Sequence, residues 1–178
     1  MKRSIVFQAA VGMLLVLFCS ALVVAQDVRF NYAPGTDFSK YKTYKWVDIE
    51  GGNHPDQMMS DQIKQAIDSQ LVQKGLTKTD SDQADLSIDY QVAVQQEKQW
   101  NSMGGAGVRW GGMQSATSST INIGTLVLDM YDTAAKKQVW RGDATKTLNP
   151  SKDPAKNQQN LQKAVAKLLK NYPPPVKK

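Results

Sequence analysis

The chain has 178 residues, of which 41% are hydrophobic and 21% are charged. That length fits a single domain, and the composition excludes a wholly disordered chain or a multi-span membrane protein. Lys and Arg number 22 against 16 Asp and Glu, too small an excess for the dense basic surface of a typical nucleic-acid-binding domain. One His and one Cys exclude most metal sites and His-based nucleophilic sites by counting. We therefore expect no cofactor, no metal site and no nucleic-acid partner.

The first 25 residues have the pattern of a secretory signal peptide. Lys2 and Arg3 precede an apolar run from Val11 to Leu17, and a small-residue site ends at Ala25. This order predicts cleavage between Ala25 and Gln26, and therefore a periplasmic or secreted protein. The apolar character continues past the run, so an uncleaved anchor is the competing interpretation, since a membrane span needs about 20 mostly apolar residues.

Cys19 offers a third outcome, an acylated lipoprotein anchor. Lipoproteins normally have a small residue directly before the lipidated Cys, and Phe18 stands there in this chain. The sequence favours a Cys that leaves with the signal peptide, so the mature protein forms no disulfide and depends on its hydrophobic core for stability. Membrane contact is expected only if the signal is retained or Cys19 is acylated.

Two short strands are predicted at the start of the mature chain. Apolar and polar residues alternate over 27–33 and again over 43–47, which is the period of a half-buried strand. Pro34 and Gly35 form a turn between them, and residues 37–41 form a short capped turn. Aromatic side chains of this region are expected to fill space beneath the sheet: Phe38, Tyr41, Tyr44 and Trp46.

The first helix is predicted from Asp56 to Lys74. A polar segment from Gly51 to Pro55 breaks the chain before it, and Gly75 provides the expected stop. Apolar residues recur in between at helical spacing: Met59, Ile63, Ala66, Ile67 and Leu71.

A long strand and an unusual segment follow. Residues 86–95 alternate between apolar and polar, so the even-numbered side chains, including Val94, are expected in the core and the odd-numbered ones, including Asp89, in water. Residues 101–120 are rich in Gly, Ser and Thr and are predicted to form a loop.

The next strand changes its apolar pattern along its length. Ile121 and Ile123 have the opposite parity to the later apolar residues that end at Met130, which predicts a bulge at Gly124. After a turn, residues 138–147 are predicted to return as an antiparallel partner.

The second helix is predicted after Asp153, a favourable N-cap that precedes Pro154. Pro173 to Pro175 end it, and its apolar stripe consists of Leu161, Val165, Leu168, Leu169 and Tyr172. The order β-β-α-β-β-β-α predicts an α+β fold, a two-layer sandwich in which two helices cover one face of a largely antiparallel sheet. The domain would span 26–172, between the signal peptide (1–25) and a Pro/Lys tail (173–178).

Several stretches together resemble the domain of unknown function 4136 family. The opening stretch runs from Asp37 to Trp46 (DFSKYKTYKW), and the later ones are Ala84-Asp85-Leu86, residues 124–129 (GTLVLD), residues 139–142 (VWRG) and Asn171-Tyr172-Pro173-Pro174. The resemblance covers nearly all of the mature chain in the right order. It implies a bacterial envelope domain, in many members a lipoprotein, with no catalytic residues to carry over.

No catalytic constellation stands out. His54 lies in a polar Gly-Gly-Asn-His-Pro segment that is typical of a solvated turn, and the mature chain has no Cys to act as its nucleophile. The clustered acids are Asp85 with Asp89, and Asp129 with Asp132. Their spacing is equally typical of solvated acids, of turn hydrogen bonds and of an ion pair with an outward-facing Arg141. We therefore expect a protein that is not an enzyme.

The only candidate contact residues lie in the Gly-rich segment or directly before it: Trp100, Met103, Arg109 and Trp110. Exposed aromatic and Arg side chains on a mobile loop are typical of a surface that contacts a partner, peptidoglycan or a glycan. The competing interpretation is a long hairpin connection with its tryptophans packed on the sheet. Two other functions stay open: a glycan or cell-wall hydrolase that uses carboxylates, and a small-molecule or lipid carrier with a cavity between helices and sheet.

Overall fold

The computed structural model describes residues 27–49, 51–101 and 117–175, with side chains described there except at 99–101 and 117–119. The signal peptide and its cleavage site lie outside these residues. The strands are β1 (Asp27–Tyr32), β2 (Thr43–Trp46), β3 (Thr77–Lys78), β4 (Leu86–Asn101), β5 (Thr117–Asp132) and β6 (Lys137–Thr147). The helices are α1 (Gln57–Gln73) and α2 (Pro154–Leu168), and one 3-10 turn covers Phe38–Lys40.

All six strands belong to one mixed sheet with the order β1-β6-β5-β4-β2-β3. The α+β class is confirmed, but the predicted sheet is corrected in two respects. First, β2 runs parallel to both β3 and β4, because the chain returns from β2 through a helix, and a helical crossover brings it back in the same direction. Second, the chain forms an additional short strand, β3, between α1 and β4 in the sequence. The sequence does not predict it, because two residues are too few to give an alternating pattern.

The hydrophobic core lies between the sheet and the two helices. The apolar stripes of both helices face the same side of the sheet, which confirms that they share one face. Fully or almost fully buried side chains come from α1, β4, β5 and α2: Ile63, Ile67 and Leu71; Leu86 and Ile88; Leu128 and Met130; Val165 and Leu168.

Both helices begin close to where the sequence predicts, and α1 also ends there. α2 ends at Leu168, four residues before the predicted stop, so Leu169 and Tyr172 of its predicted stripe are buried after the helix, in a turn where Tyr172 N–H donates to the carbonyl of Leu169. The side chains of Asp56 and Asp153 accept hydrogen bonds from backbone N–H groups of the first turns of α1 and α2. Gly75 follows α1 with a φ of +85°, a left-handed conformation that favours glycine. Met59 is 42% exposed and so does not belong to the buried stripe. Within the described ranges, neither helix is long and apolar enough to cross a membrane.

The predicted bulge at Gly124 is wrong. β4 and β5 pair without a register shift along their whole length. Ile121 and Ile123 therefore lie on the face of the strand opposite to the later apolar residues that end at Met130. A Cβ atom at Gly124 would lie 2.7 Å from Cδ2 of the partly exposed Leu148, so the Leu148 side chain packs over this glycine. The register shifts only between β5 and β6, beside Met130.

Candidate functional site

The β4–β5 hairpin is longer than the strands beside it. β6 pairs with β5 only as far as Ile123, and β2 pairs with β4 only as far as Ile88. We call residues 97–101 and 117–121 the hairpin arm. Along it, these two strands pair only with each other among the residues described, and five residues per strand extend about 17 Å. The arm therefore projects from the sheet as a two-stranded ribbon.

The arm holds the ends of the predicted contact segment together. Asn101 pairs with Thr117 at the arm's tip, so the segment between them starts and finishes at that tip. Trp100 lies in the last part of β4, opposite Ser118. Met103, Arg109 and Trp110 lie outside the described residues. Residues 101 and 117–120, predicted as loop, belong to strands instead, and Val94, predicted in the core, is 61% exposed at the base of the arm.

A polar cluster lies on the sheet face opposite the helices. Asp89 and Asp129 are cross-strand partners, so their side chains point to the same face, where directly opposed like charges repel. Both carboxylates are almost fully buried, with side chains 2% and 3% exposed. The prediction that Asp89 is solvated is therefore wrong. The sequence pairs, Asp85 with Asp89 and Asp129 with Asp132, are replaced by one pair across the sheet.

Each carboxylate of the pair has protein donors. Asp129 accepts a hydrogen bond from Gln138 Nε2 and lies 3.4 Å from Arg141 Nη1, which confirms that Arg141 contacts a carboxylate. Asp89 accepts hydrogen bonds from the backbone N–H groups of Ile49 and Tyr90. Burial raises the pKa of Asp129 and the charge of Asp89 adds to the rise, while Arg141 and Gln138 oppose it.

His54 contacts this cluster from the edge of the sheet. Its Nε2 lies 2.7 Å from the carbonyl oxygen of Tyr90 and 3.2 Å from Asp89 Oδ1, and its ring lies 4.9 Å from the ring of Tyr90. The solvated-turn prediction for His54 is thus wrong. The reason is the path of the chain, since the segment after β2 follows the edge of β4 and Val92 N–H donates to the carbonyl of Asn53.

Chemically, the cluster could serve as an acid–base pair or as a structural network. A carboxyl group with a raised pKa beside a second carboxylate is the arrangement of a general acid and its partner. Here, however, both side chains are buried and accept hydrogen bonds from the protein, which is how a structural network satisfies its acids. In the described part of the chain, no group of three or more His, Cys, Asp or Glu side chains could hold a metal ion.

Two depressions mark the surface, and neither lies between the helices and the sheet. One, of about 790 Å³, lies where the segment after β1 faces the proline tail, and its walls include Tyr32, Phe38 and Pro174. The other, of about 690 Å³, is an open depression beside α1 that includes Asp68 and Lys78. Among the described residues, neither depression is the helix–sheet cavity that the carrier hypothesis requires.

Family comparison identifies the domain. A family model described as "Domain of unknown function (DUF4136)" matches residues 28–174. The chain belongs to this family. A search among curated proteins finds no match.

A solved structure of another protein shares the fold of this DUF4136 domain. A PDZ domain protein from Parabacteroides distasonis matches with a TM-score of 0.56 and 14% identity, over 85% of this chain and 37% of the other. The domain thus spans little more than a third of that protein, and the likeness shows the fold alone. Two structures of the PelC dodecamer from Paraburkholderia phytofirmans have a TM-score of 0.49 and 13% identity, over 82% of this chain and 95% of theirs.

The opening motif of the DUF4136 domain, residues 37–46, forms hydrogen bonds with acidic side chains from other parts of the chain. Lys40 Nζ and Tyr41 OH lie 2.8 and 2.9 Å from Asp132 Oδ2 at the end of β5. The backbone N–H groups of Lys42 and Thr43 donate to Asp85 Oδ2, before β4, at 2.8 and 2.9 Å. These contacts give the motif a structural role.

The third acid of the motif's network lies on α1. Tyr44 OH and Trp46 Nε1 both donate to Asp68 Oδ1, at 2.8 and 2.9 Å. Of the aromatic residues predicted to fill space, Tyr41 and Tyr44 are buried, and Phe38 and Trp46 are partly buried against the core. Sequence reasoning missed the partner acids because each lies far along the chain from the motif, with only the strand pairing to bring them together.

Proposed function

We propose that this chain is a non-enzymatic binding domain of the cell envelope, periplasmic or secreted, that contacts a partner or a cell-surface component such as peptidoglycan. The observation that carries the proposal is the hairpin arm. It extends beyond the ends of the neighbouring strands β2 and β6, and its tip joins the two ends of the segment that contains Met103, Arg109 and Trp110. The signal pattern at the N-terminus supports the envelope location.

Aromatic and Arg side chains are the usual energetic centres of binding surfaces. Trp100 lies near the arm's tip, and Trp110 belongs to the segment that the tip closes. In such a binding domain, the packed sheet and helices form a rigid body, and the arm holds the contact residues away from it.

The test is cosedimentation of the full chain with purified peptidoglycan sacculi. We expect the combined variant Trp100→Ala and Trp110→Ala to weaken retention about tenfold or more, as for loss of interface anchors. Met58→Ala with Val72→Ala is the matched control, because both side chains are exposed apolar groups on α1. Unchanged retention of the tryptophan variant, or an equal loss in the control, would contradict the contact role of the arm.

A carboxylate-dependent hydrolase of glycan or cell-wall substrates is the second candidate, and the Asp89–Asp129 pair is what favours it. Its test is release of soluble fragments from sacculi by the full chain, compared with Asp129→Asn. Fragment release that disappears in the variant would support the hydrolase and overturn the non-enzymatic proposal.

A further inference from the structure

The net charge of the sequence is concentrated in one segment. Residues 154–178 contain six Lys and no Asp or Glu. The remaining residues, 1–153, contain 22 − 6 = 16 basic and 16 acidic residues. The formal charge of +6 therefore belongs entirely to α2 and the residues after it.

The helix arranges its lysines on one side. Lys156, Lys163 and Lys167 fall within about 40° of arc at 100° per residue, and we call these three residues the lysine stripe. Val165, at the centre of the buried face, lies about 180° from Lys156 on the same count. Because that face packs on the sheet, the stripe points away from the domain. All three lysines are exposed, as is Lys170 in the turn that follows.

These lysines have no acidic partner in the part of the chain that the structure describes. The ion pairs there use other lysines, namely Lys40, Lys45 and Lys78. The acid nearest in sequence, Asp153, caps the start of α2. The stripe therefore presents uncompensated positive charge over about 17 Å of helix.

We propose that the lysine stripe of α2, together with Lys170, docks on a membrane surface that contains anionic phospholipids. Clusters of lysines beside a bilayer attract anionic headgroups without any shaped pocket, and an outward row on a helix matches that requirement. Lys contacts phosphate as a point charge, without the two-pronged geometry by which Arg selects a particular group. Single-stranded nucleic acid is a poorer fit, since the stripe has no aromatic side chains on which bases stack.

The experiment is cosedimentation of the full chain with vesicles of phosphatidylcholine, with and without phosphatidylglycerol. The quantity measured is the ratio of binding to the two kinds of vesicle, because the apolar N-terminal run contributes to both. We expect a clear preference for the anionic vesicles that weakens as salt is added. Each lysine near an anionic surface contributes about fivefold to binding, so Lys163→Gln with Lys167→Gln should lower the ratio about 25-fold.

The matched control is Lys136→Gln with Lys137→Gln, which removes the same charge from exposed positions outside α2 and outside the hairpin arm. Far-UV circular dichroism checks that both variants are folded. An equal loss in the control would overturn the proposal, because net charge alone would then account for binding. So would a ratio of one for the unaltered chain, or stripe-dependent binding to heparin without binding to anionic vesicles, which would identify a soluble polyanion as the partner.

Discussion

Two buried acids illustrate opposite uses of the same side chain. Asp132 is surrounded by donors, since Lys40, Tyr41 and the backbone of Ala135 all contact its oxygens. These contacts lower its pKa to about 2, with the Lys40 hydrogen bond as the largest cause. Asp129 is instead buried opposite another carboxylate, and its pKa is raised. The charged form of Asp132 therefore stabilises the fold, whereas ionisation of Asp129 lowers the stability of the fold.

We expect Asp132→Asn to lower the free energy of unfolding at pH 7 by about 1–3 kcal/mol, because the variant loses a charged acceptor that several donors share. A lowered folded-state pKa stabilises above the unfolded value of 3.8 and is lost as the pH falls towards about 2. The deficit of the variant should therefore be constant near neutral pH and shrink below pH 4. Urea denaturation at a series of pH values measures it. Asp80→Asn, at an exposed position, is the control and should change stability by less than about 0.5 kcal/mol.

We do not expect Asp129→Asn to lower the free energy of unfolding as Asp132→Asn does. A raised folded-state pKa means that stability falls as the pH rises through it, and the neutral amide avoids this loss. The variant should be as stable as the unaltered chain at pH 7, or up to about 2 kcal/mol more stable. A loss as large as that of Asp132→Asn would show that the Arg141 contact outweighs the cost of burial.

At the scale of elements, a glycine sets how closely α2 approaches the sheet. A Cβ atom at Gly142 on β6 would overlap Trp140 Cη2 and lie 2.9 Å from Leu168 Cδ1. Both of those side chains are buried, so neither has space to move. α2 thus packs on β6 through a position without a side chain.

We expect Gly142→Ala to lower the free energy of unfolding by about 1–3 kcal/mol through overpacking. Gly124→Ala is the matched comparison, because its added Cβ meets the end of Leu148, which is 40% exposed and free to turn away. Its cost should stay below about 1 kcal/mol. Thermal or urea denaturation measures both variants, and equal losses would contradict the packing argument.

Some elements could be predicted from sequence and others could not, for physical reasons. Both helices carry local signals, a capping Asp at the start and a regular apolar stripe, and both begin where predicted; the apolar Leu169 and Tyr172 continue the pattern past the end of α2 because they are buried in the turn that follows it. The outer parts of β4 and β5 are polar and gain their structure from pairing with each other, so composition alone suggested a loop. The Asp89–Asp129 pair depends on register between strands, which no local pattern specifies. The change of parity at Gly124 predicts a bulge, but it marks an unbroken strand whose apolar residues lie on one face before the glycine and on the other face after it.

At the scale of the molecule, the hairpin arm and the domain body should be separable. Gln96 pairs with Asn122, so replacing residues 97–121 by Asn-Gly joins them with a favoured hairpin turn in the same register. We expect the free energy of unfolding to change by less than about 1 kcal/mol, because no side chain of the arm belongs to the described core. Urea denaturation measures this, and loss of cooperative unfolding would show that the arm supports the body.

The sheet order has a consequence for how the protein acquires its structure. β4, β5 and β6 follow one another as hairpins and can assemble from nearby segments, but β1 pairs with β6, from Asp27 opposite Thr145 to Tyr32 opposite Trp140. Closing so long a stretch of chain is slow, and β1 has no partner during synthesis until nearly the whole domain has emerged. The N-terminal strand should therefore be the last to join, and a nascent chain stalled before β6 would leave it available to chaperones.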